Sequence, residues 1–346
     1  MHPKDKTQLM DLSPEELSDY LVSLGVLPYR SHQLAKWLFQ RNVQDFSVMS
    51  DISLRTRSLL SECAEIAPQL EIIQRVTSPD GATKLLNLLP DGLMVESVLI
   101  PEKDRLTLCL SSQVGCNLGC AFCRTGTMGL KRNLTQGEIL GQITAAQGVA
   151  NIPISNLVFM GMGEPLNNLT QVSKALDIII HPRLKAFNHN KVTVSTVGLI
   201  PELQTLGQIH PKISLTISLT SADQSLRESL MPIAKKYTLT DLKEALLKYP
   251  LPKGSRITIS YVIMGGVNDE LKDAKALVNY LHGLKVKINL IPFNPWKGAP
   301  FKPPLEARVQ FFKMYLTDRH FTTVIRKSRG EAVGGACGQL AIPEED

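Results

Sequence analysis

Apolar residues recur at helical spacing from residue 13 to about residue 66. Leu17, Tyr20, Leu21 and Leu24 form one stripe behind Ser13-Pro14-Glu15-Glu16. Serine there caps a helix, proline takes its first position and the acids face the positive end of its dipole. A second helix is predicted from Ser31, with Leu34, Trp37 and Leu38 on one face and Lys36 and Arg41 off it. A third is predicted over 54–66. Cys63 falls there among Leu59, Leu60 and Ile66 and reads as packing. From about 69 to 111 the period changes to that of strands: 70–73, 83–88 and 93–100, the last two hinged at Pro90-Asp91-Gly92, then 106–110.

Beyond residue 110, apolar strands at about 156–161, 191–196, 213–219, 256–263, 286–291 and 321–326 alternate with helices. The helices start near Thr135, Leu169, Leu199, Asp223, Thr240, Asp269 and Leu305, and Thr135 with Glu138 has the capping-box pattern. Repeated β-α units imply a parallel sheet covered by helices. The predicted fold is α/β, a partial TIM-like (β/α)6 barrel over 106–346. A helical accessory domain over 1–68 and a strand-rich connector over 69–105 precede it. Ligands of such a barrel gather at the carboxyl ends of its strands.

Composition narrows the setting. The 346 residues suffice for one large domain and a smaller one. Six cysteines with no leader sequence imply a reducing cytoplasm, where thiols bind metal or react. No apolar run is long enough for a membrane span. The net charge of +6 is compatible with a nucleic-acid partner without demanding one. The three basic N-terminal helices read equally as an RNA-docking module or as a plain accessory bundle. Lys131, Arg132, Lys235 and Lys236 add candidate phosphate contacts.

The chemistry is concentrated at Cys116, Cys120 and Cys123, a C-x3-C-x2-C run. Three thiolates so spaced can hold three irons of a [4Fe-4S] cube and leave the fourth open. Structural zinc would need a fourth ligand. No histidine lies between His32 and His181, and Cys109 is the only other sulfur nearby. An open iron is what radical S-adenosylmethionine (SAM) enzymes use, and the run resembles the signature of that superfamily. Phe122, between the second and third cysteines, suits a shielding role. Gly161-Met162-Gly163-Glu164-Pro165 follows the next strand and resembles the element in which glycine (here Gly163) and glutamate (Glu164) hold the amino group of SAM. Ser195, Ser218-Leu219-Thr220 and Asn294 stand at further strand ends and complete a cofactor rim, with Asn294 reading the adenine edge.

Arg326-Lys327-Ser328-Arg329-Gly330 is followed by Ala336-Cys337-Gly338-Gln339-Leu340, a lone cysteine among glycines and arginines. Such a thiol is poorly suited to packing, and nearby arginines favour its thiolate. With Leu108-Cys109-Leu110-Ser111-Ser112-Gln113-Val114-Gly115-Cys116, these segments resemble the RlmN/Cfr family of radical-SAM RNA methyltransferases. The match runs from about residue 10 to 340.

The resemblance implies methylation of carbon 2, or carbon 8, of an adenosine in ribosomal RNA and transfer RNA. Two SAM molecules are used per turnover. One methylates Cys337; the other gives a 5′-deoxyadenosyl radical that takes hydrogen from the S-methyl group. The resulting carbon joins the adenine, Glu96 accepts the ring proton, and Cys109 attacks the Cys337 sulfur to form a disulfide and release the product. It further implies a flavodoxin or ferredoxin as electron donor and a cytoplasmic monomer. Three departures from the family pattern stand out: Gly334-Gly335 where aspartate and alanine are usual, Thr220 in place of histidine, and Ala332 after Glu331. Two other classes remain open, a radical-SAM enzyme with a non-RNA substrate and a non-catalytic zinc or RNA-binding module.

Overall fold

The structure is a computed structural model that describes residues 6–66, 70–185 and 187–342. The boundary expected at 68/69 lies outside the described residues.

The N-terminal module holds α1 (Pro14–Ser23), α2 (Arg30–Ala35), which runs into a π-helical turn at Lys36–Gln40, and α3 (Leu54–Cys63). Two short strands, β1 (Thr7–Gln8) and β2 (Ala64–Glu65), pair in parallel and close the module. The capping box at α1 is present, with Ser13 Oγ accepting from Glu16 N and Glu16 accepting from Ser13 N. Cys63 is half-buried and donates to Leu59 O.

A ten-stranded sheet dominates the rest. The strands of the connector region are β3 (Glu71–Thr77), β4 (Thr83–Leu88) and β5 (Met94–Glu102). They run antiparallel and join the sheet through β6 (Arg105–Leu110). Between β6 and the next sheet strand lies a hairpin that the period-2 reading missed. It comprises β7 (Gln113–Cys116) and β8 (Gly129–Asn133), antiparallel, with α4 (Arg124–Thr127) in its loop.

From β6 onward the sheet is parallel. It contains β9 (Asn156–Phe159), β10 (Val192–Thr196), β11 (Ser214–Ser218), β12 (Ile257–Ile263), β13 (Val286–Pro292) and β14 (Thr323–Ile325). Strands β6 and β9–β13 make the six-stranded partial barrel, and β14 extends it by one. The covering helices are α5 (Gln136–Val149), α6 (Leu169–Ile180), α7 (Ile200–Ile209), α8 (Gln224–Leu230), α9 (Leu239–Lys248), α10 (Leu271–Leu281) and α11 (Glu306–Thr317). Strand interiors such as Val192, Val194, Ile217, Ile259 and Ile288 are fully buried, as parallel strands covered on both faces require.

The N-terminal module sits on α5 and α6. Gln136 Nε2 donates to Met10 O and Leu12 O at 2.7 and 2.9 Å, and Asp11 accepts from Gly137 N at 2.8 Å. Lys174 pairs with Glu16 at 2.6 Å. Lys185 reaches Asn42 Oδ1 at 2.8 Å, and burial pulls its pKa down to about 8.

All parallel strands end on the same rim, and the backbone there is tightly stacked. A Cβ on Gly161 would lie 2.6 Å from Leu110 O and 2.7 Å from Ser111 Oγ. Gly161→Ala should therefore force the β6 and β9 ends apart and cost about 1–3 kcal/mol, the usual range for overpacking. Calorimetry should show a lowered thermal midpoint; an unchanged midpoint would mean the two strand ends are not constrained.

Candidate active site

The cysteine loop grows out of β6 through the β7–β8 hairpin. Cys116 is the last residue of β7, and Cys123 precedes α4, its N–H bonded to Cys120 O. Gly115, at φ +79°, lies against Gly129 across the hairpin, where a side chain has no room. Cys116 and Cys120 are buried and Cys123 half-buried.

Burial pushes all three thiols up, Cys116 to about 11, and charge repulsion adds to the effect, from neighbouring loop cysteines at Cys116 and Cys120 and from Cys337 at Cys123. As bare thiols they stay protonated at neutral pH. A cationic iron–sulfur core reverses that balance, because a bound metal holds its sulfur ligands as thiolates. The donor set thus fits a cube. Phe122 is half-buried, and its carbonyl accepts from Trp296 Nε1 at 3.3 Å.

Glu164 is 3 % exposed beside this loop. Its two oxygens accept from Leu166 N and Val197 N, each at 3.0 Å, and its own N–H donates to Gln113 Oε1 at 2.8 Å. Burial raises its pKa to about 7. An incoming ammonium would find the carboxyl already fixed, and its charge would favour the ionised form that burial disfavours. Gly163, at φ +94°, lets this turn pack directly on Gln113, which a Cβ there would strike at 2.5 Å. Ser195 and Ser218 lie side by side on β10 and β11, their hydroxyls 3.4 Å apart. Leu219 is buried, with its N–H bonded to Ser260 O. Thr220 is buried in the left-handed region at φ +59°, an uncommon conformation for a β-branched residue, and its hydroxyl has no partner.

The C-terminal segment closes over this rim. Arg124 N donates to Gly338 O at 2.8 Å and Thr125 Oγ1 to Leu340 O at 2.6 Å. Gln339 Nε2 donates to Pro295 O at 2.7 Å. Asn294, expected to read an adenine edge, stands just past β13, and its Nδ2 donates to Cys337 O at 3.0 Å, which ties the reactive loop to that strand end. Cys337 itself is exposed.

Cys109 is buried on β6. Burial pushes its thiol up to about 12, the charge of Cys337 adds to this, and Arg326 opposes it. The two cysteines are thus in electrostatic reach of each other despite their separation in sequence. All six cysteines are free thiols, so no standing disulfide joins Cys109 to Cys337. Glu96, on β5, is 1 % exposed, with Lys84 at 2.7 Å and Ala341 N donating to it at 2.9 Å.

Residue-by-residue comparison with known proteins matches this architecture from both ends. Residues 7–66 match the N-terminal domain of ribosomal RNA large subunit methyltransferase, and residues 110–278 match the radical SAM superfamily. A relative from Geobacter sulfurreducens is 47% identical over 332 residues, covering 95% of this chain and 90% of that protein. One from Syntrophobacter fumaroxidans is 43% identical over 332 residues, with 95% and 96% covered. Both are named dual-specificity RNA methyltransferase RlmN. The chain belongs to the RlmN family of radical-SAM RNA methyltransferases. A crystal structure of a radical SAM methyltransferase from Sphaerobacter thermophilus superimposes with TM-score 0.89 at 36% identity, covering 96% of this chain and 99% of that one. Membership implies a [4Fe-4S] cluster and SAM for this site.

Two residues in this RlmN-family site escaped sequence reasoning. Arg227, on α8, is 1 % exposed, yet its guanidinium meets only carbonyls, Leu219 O and Val197 O. Its charge acts on Cys120, and α8 is joined to the cysteine loop by Ala121 N bonded to Leu230 O. An arginine inside an otherwise ordinary amphipathic helix gave no signal. Lys84 was hidden in an alternating strand. Arg132, conversely, is not free for phosphate, because Glu138 and Asp91 hold it at 2.7 Å each. Lys131, Lys235 and Lys236 are exposed as expected.

Anaerobically purified protein should be brown and carry about four irons and four sulfides per chain. Alanine at any one of Cys116, Cys120 or Cys123 should lose iron and abolish SAM cleavage. A variant retaining both would remove that cysteine from the ligand set, and stoichiometric zinc in the parent would overturn the assignment.

Proposed function

We propose that the chain methylates carbon 2 of an adenosine in ribosomal and transfer RNA by way of an S-methylcysteine at Cys337. The observation that carries this reading is the meeting of Cys109, Cys337 and Glu96 beside the cysteine loop. Cys109 is buried in the core, but the exposed Cys337 has no packing role to explain it. The arrangement supplies a carrier, a resolving thiol and a proton acceptor. The relatives' printed name, dual-specificity RNA methyltransferase, supports two classes of RNA substrate.

Carbon 2 of adenine is electron-poor and offers no nucleophile for direct transfer of an electrophilic methyl group. When bound to Cys116, Cys120, Cys123 and Glu164, cluster and SAM supply the methyl group and the radical chemistry, at two SAM per turnover. The protein's own residues do the rest. The exposed Cys337 sulfur carries the carbon to the ring, linking chain and RNA. Glu96 takes the ring proton, and the one electron that the radical adduct must also lose belongs to the redox chemistry that cluster and SAM would supply. Cys109 then attacks the Cys337 sulfur; the S–S bond forms, the C–S bond breaks, and the carbon leaves on the base, taking up a proton to become methyl. While Cys337 carries carbon its thiolate charge is absent, which removes one of the two influences that raise Cys109. The oxidised pair must be reduced before the next turnover.

The reading includes a flavodoxin or ferredoxin as electron donor, a monomer, and a cytoplasmic setting for the free thiols. No helix among the described residues is long and apolar enough to cross a membrane. RNA docks through the N-terminal module, where Arg41 stacks over Trp37 at 4.0 Å and Arg30 over Tyr29 at 4.8 Å, and through Lys131, Lys235 and Lys236. The target adenine must leave its stack to reach the strand ends.

Binding to structured RNA should weaken steeply with salt, because phosphate contacts release counterions. Filter binding across a salt series checks this, and tight binding indifferent to salt would refute the docking picture.

The cysteines can be told apart. Cys337→Ala should hold cluster and SAM yet form neither S-methylcysteine nor an RNA adduct. Cys109→Ala should stop one step later and accumulate protein crosslinked to RNA through Cys337, visible as a nuclease-sensitive band shift that the double variant loses. Methylation by Cys337→Ala at the parent rate would overturn the carrier mechanism.

A further inference from the structure

The pleat of the antiparallel strands puts three of the site's polar groups on one face. Lys84 on β4 lies opposite Val98 on β5, which lies opposite Cys109 on β6, and Glu96 is two residues from Val98. Side chains opposite one another, or two apart on one strand, share a face. There Lys84 Nζ stands 2.7 Å from Glu96 Oε1, with the carboxylate side chain 1% exposed and the lysine side chain 18%.

The two carboxylate oxygens have different partners. Oε1 is held by an ammonium on a covered strand. Oε2 accepts a single backbone N–H, from Ala341 at 2.9 Å. That donor belongs to the segment that carries Cys337, and one neutral hydrogen bond is far more easily exchanged than a buried ion pair.

The same ammonium faces the Cys337 loop from below. A Cβ on Gly334 would lie 3.6 Å from Lys84 Nζ, and one on Gly335 would lie 3.6 Å from Lys84 Cβ. Gly334 is left-handed at φ +63°, a conformation that aspartate tolerates better than most residues. Glycine at this point keeps any second carboxylate away from the pair.

We propose that Lys84 is the positioning residue of the proton acceptor: it holds Glu96 by Oε1 so that Oε2 alone is offered to the ring proton, and Gly334 reserves its ammonium for that task. The inference rests on the reading of Glu96 as proton acceptor. The charged groups facing Glu96 are Lys84 from β4 and Arg124 from α4, with the Ala341 amide as the neutral donor. Burial pushes the carboxyl up; Lys84, the Ala341 N–H and Arg124 pull it back. A base must be deprotonated to act, so the rate it governs falls as pH drops through its pKa. Removing Lys84 moves that acid limb to higher pH.

The experiment follows resolution of the protein–RNA adduct against pH in the parent, Lys84→Met, Lys84→Arg and Gly334→Asp enzymes. Each variant is expressed as a ratio to the parent, in which the titration of Cys109 cancels. Iron content and S-methylation of Cys337 report folding and the earlier half-reaction. Lys84→Met should shift the acid limb upward by roughly 1–3 units, a loss of roughly 10- to 1000-fold on the acid side that recovers at high pH. Lys84→Arg should restore the parent profile to within a few-fold. Gly334→Asp, which leaves Lys84 in place but gives it a second carboxylate, should shift the limb the same way by less. A loss in Lys84→Met that is uniform across pH and not rescued by arginine would overturn the proposal in favour of packing. If Lys84→Met does not fold, a Gly334→Asp profile superimposable on the parent overturns it. Parent-like turnover by Glu96→Gln would instead remove the proton-acceptor reading itself, an outcome distinct from any result at Lys84.

Discussion

The fixed point of this molecule is the tie between its last described segment and its cysteine loop. Five hydrogen bonds make it: Arg124 N to Gly338 O, Thr125 Oγ1 to Leu340 O, Asn294 Nδ2 to Cys337 O, Gln339 Nε2 to Pro295 O and Ala341 N to Glu96. They join the end of the chain to α4, to the loop after β13 and to β5 at once. Without them Cys337 would be an unplaced thiol on a glycine-rich tail. With them it is held within electrostatic reach of Cys109, while its side chain stays exposed and makes none of these bonds. The glycines on either side suit a loop fixed by backbone while its sulfur stays free to move.

Electrostatics in this site run against its fold. Three clustered thiols, a buried carboxylate at Glu164 and a second at Glu96 all have raised pKa values, with burial as the largest cause. Buried Arg227 opposes this at Cys120, as Lys84 and Arg124 do at Glu96 and Arg326 does at Cys109. Such an arrangement is costly in a bare protein and is relieved when a cationic core and an ammonium-bearing ligand enter. Perturbed groups of this kind collect at functional sites rather than scattering through a core.

Much of this was legible in the chain. The alternation of apolar strands and amphipathic helices after residue 106 located every parallel strand, and the capping boxes at Ser13 and Thr135 marked two helix starts. The cysteine spacing and the Gly161–Pro165 turn stand at strand ends because a parallel sheet delivers all its carboxyl ends to one rim. What escaped was what depends on side chains meeting across the sheet. The β7–β8 hairpin is short and carries glycines, so its period is weak. The connector strands extend the barrel sheet instead of standing apart, because β5 offers β6 a long antiparallel edge. Arg132 looked like a phosphate contact until Glu138, one helical turn into α5, was found to hold it. Asn294 also meets the loop carrying Cys337, a contact that its place at a strand end does not announce. Sequence spacing names residue types; only the fold says which partner each one meets.

The central claim is methyl transfer to carbon 2 of adenosine in RNA, and nucleoside mass spectrometry measures it directly. Ribosomal and transfer RNA from cells with and without the gene are digested, and the methyladenosine isomers are separated and quantified. The account predicts 2-methyladenosine in both RNA classes, lost on deletion and restored by the parent chain. Loss of 8-methyladenosine instead, or an unchanged nucleoside profile, would contradict it.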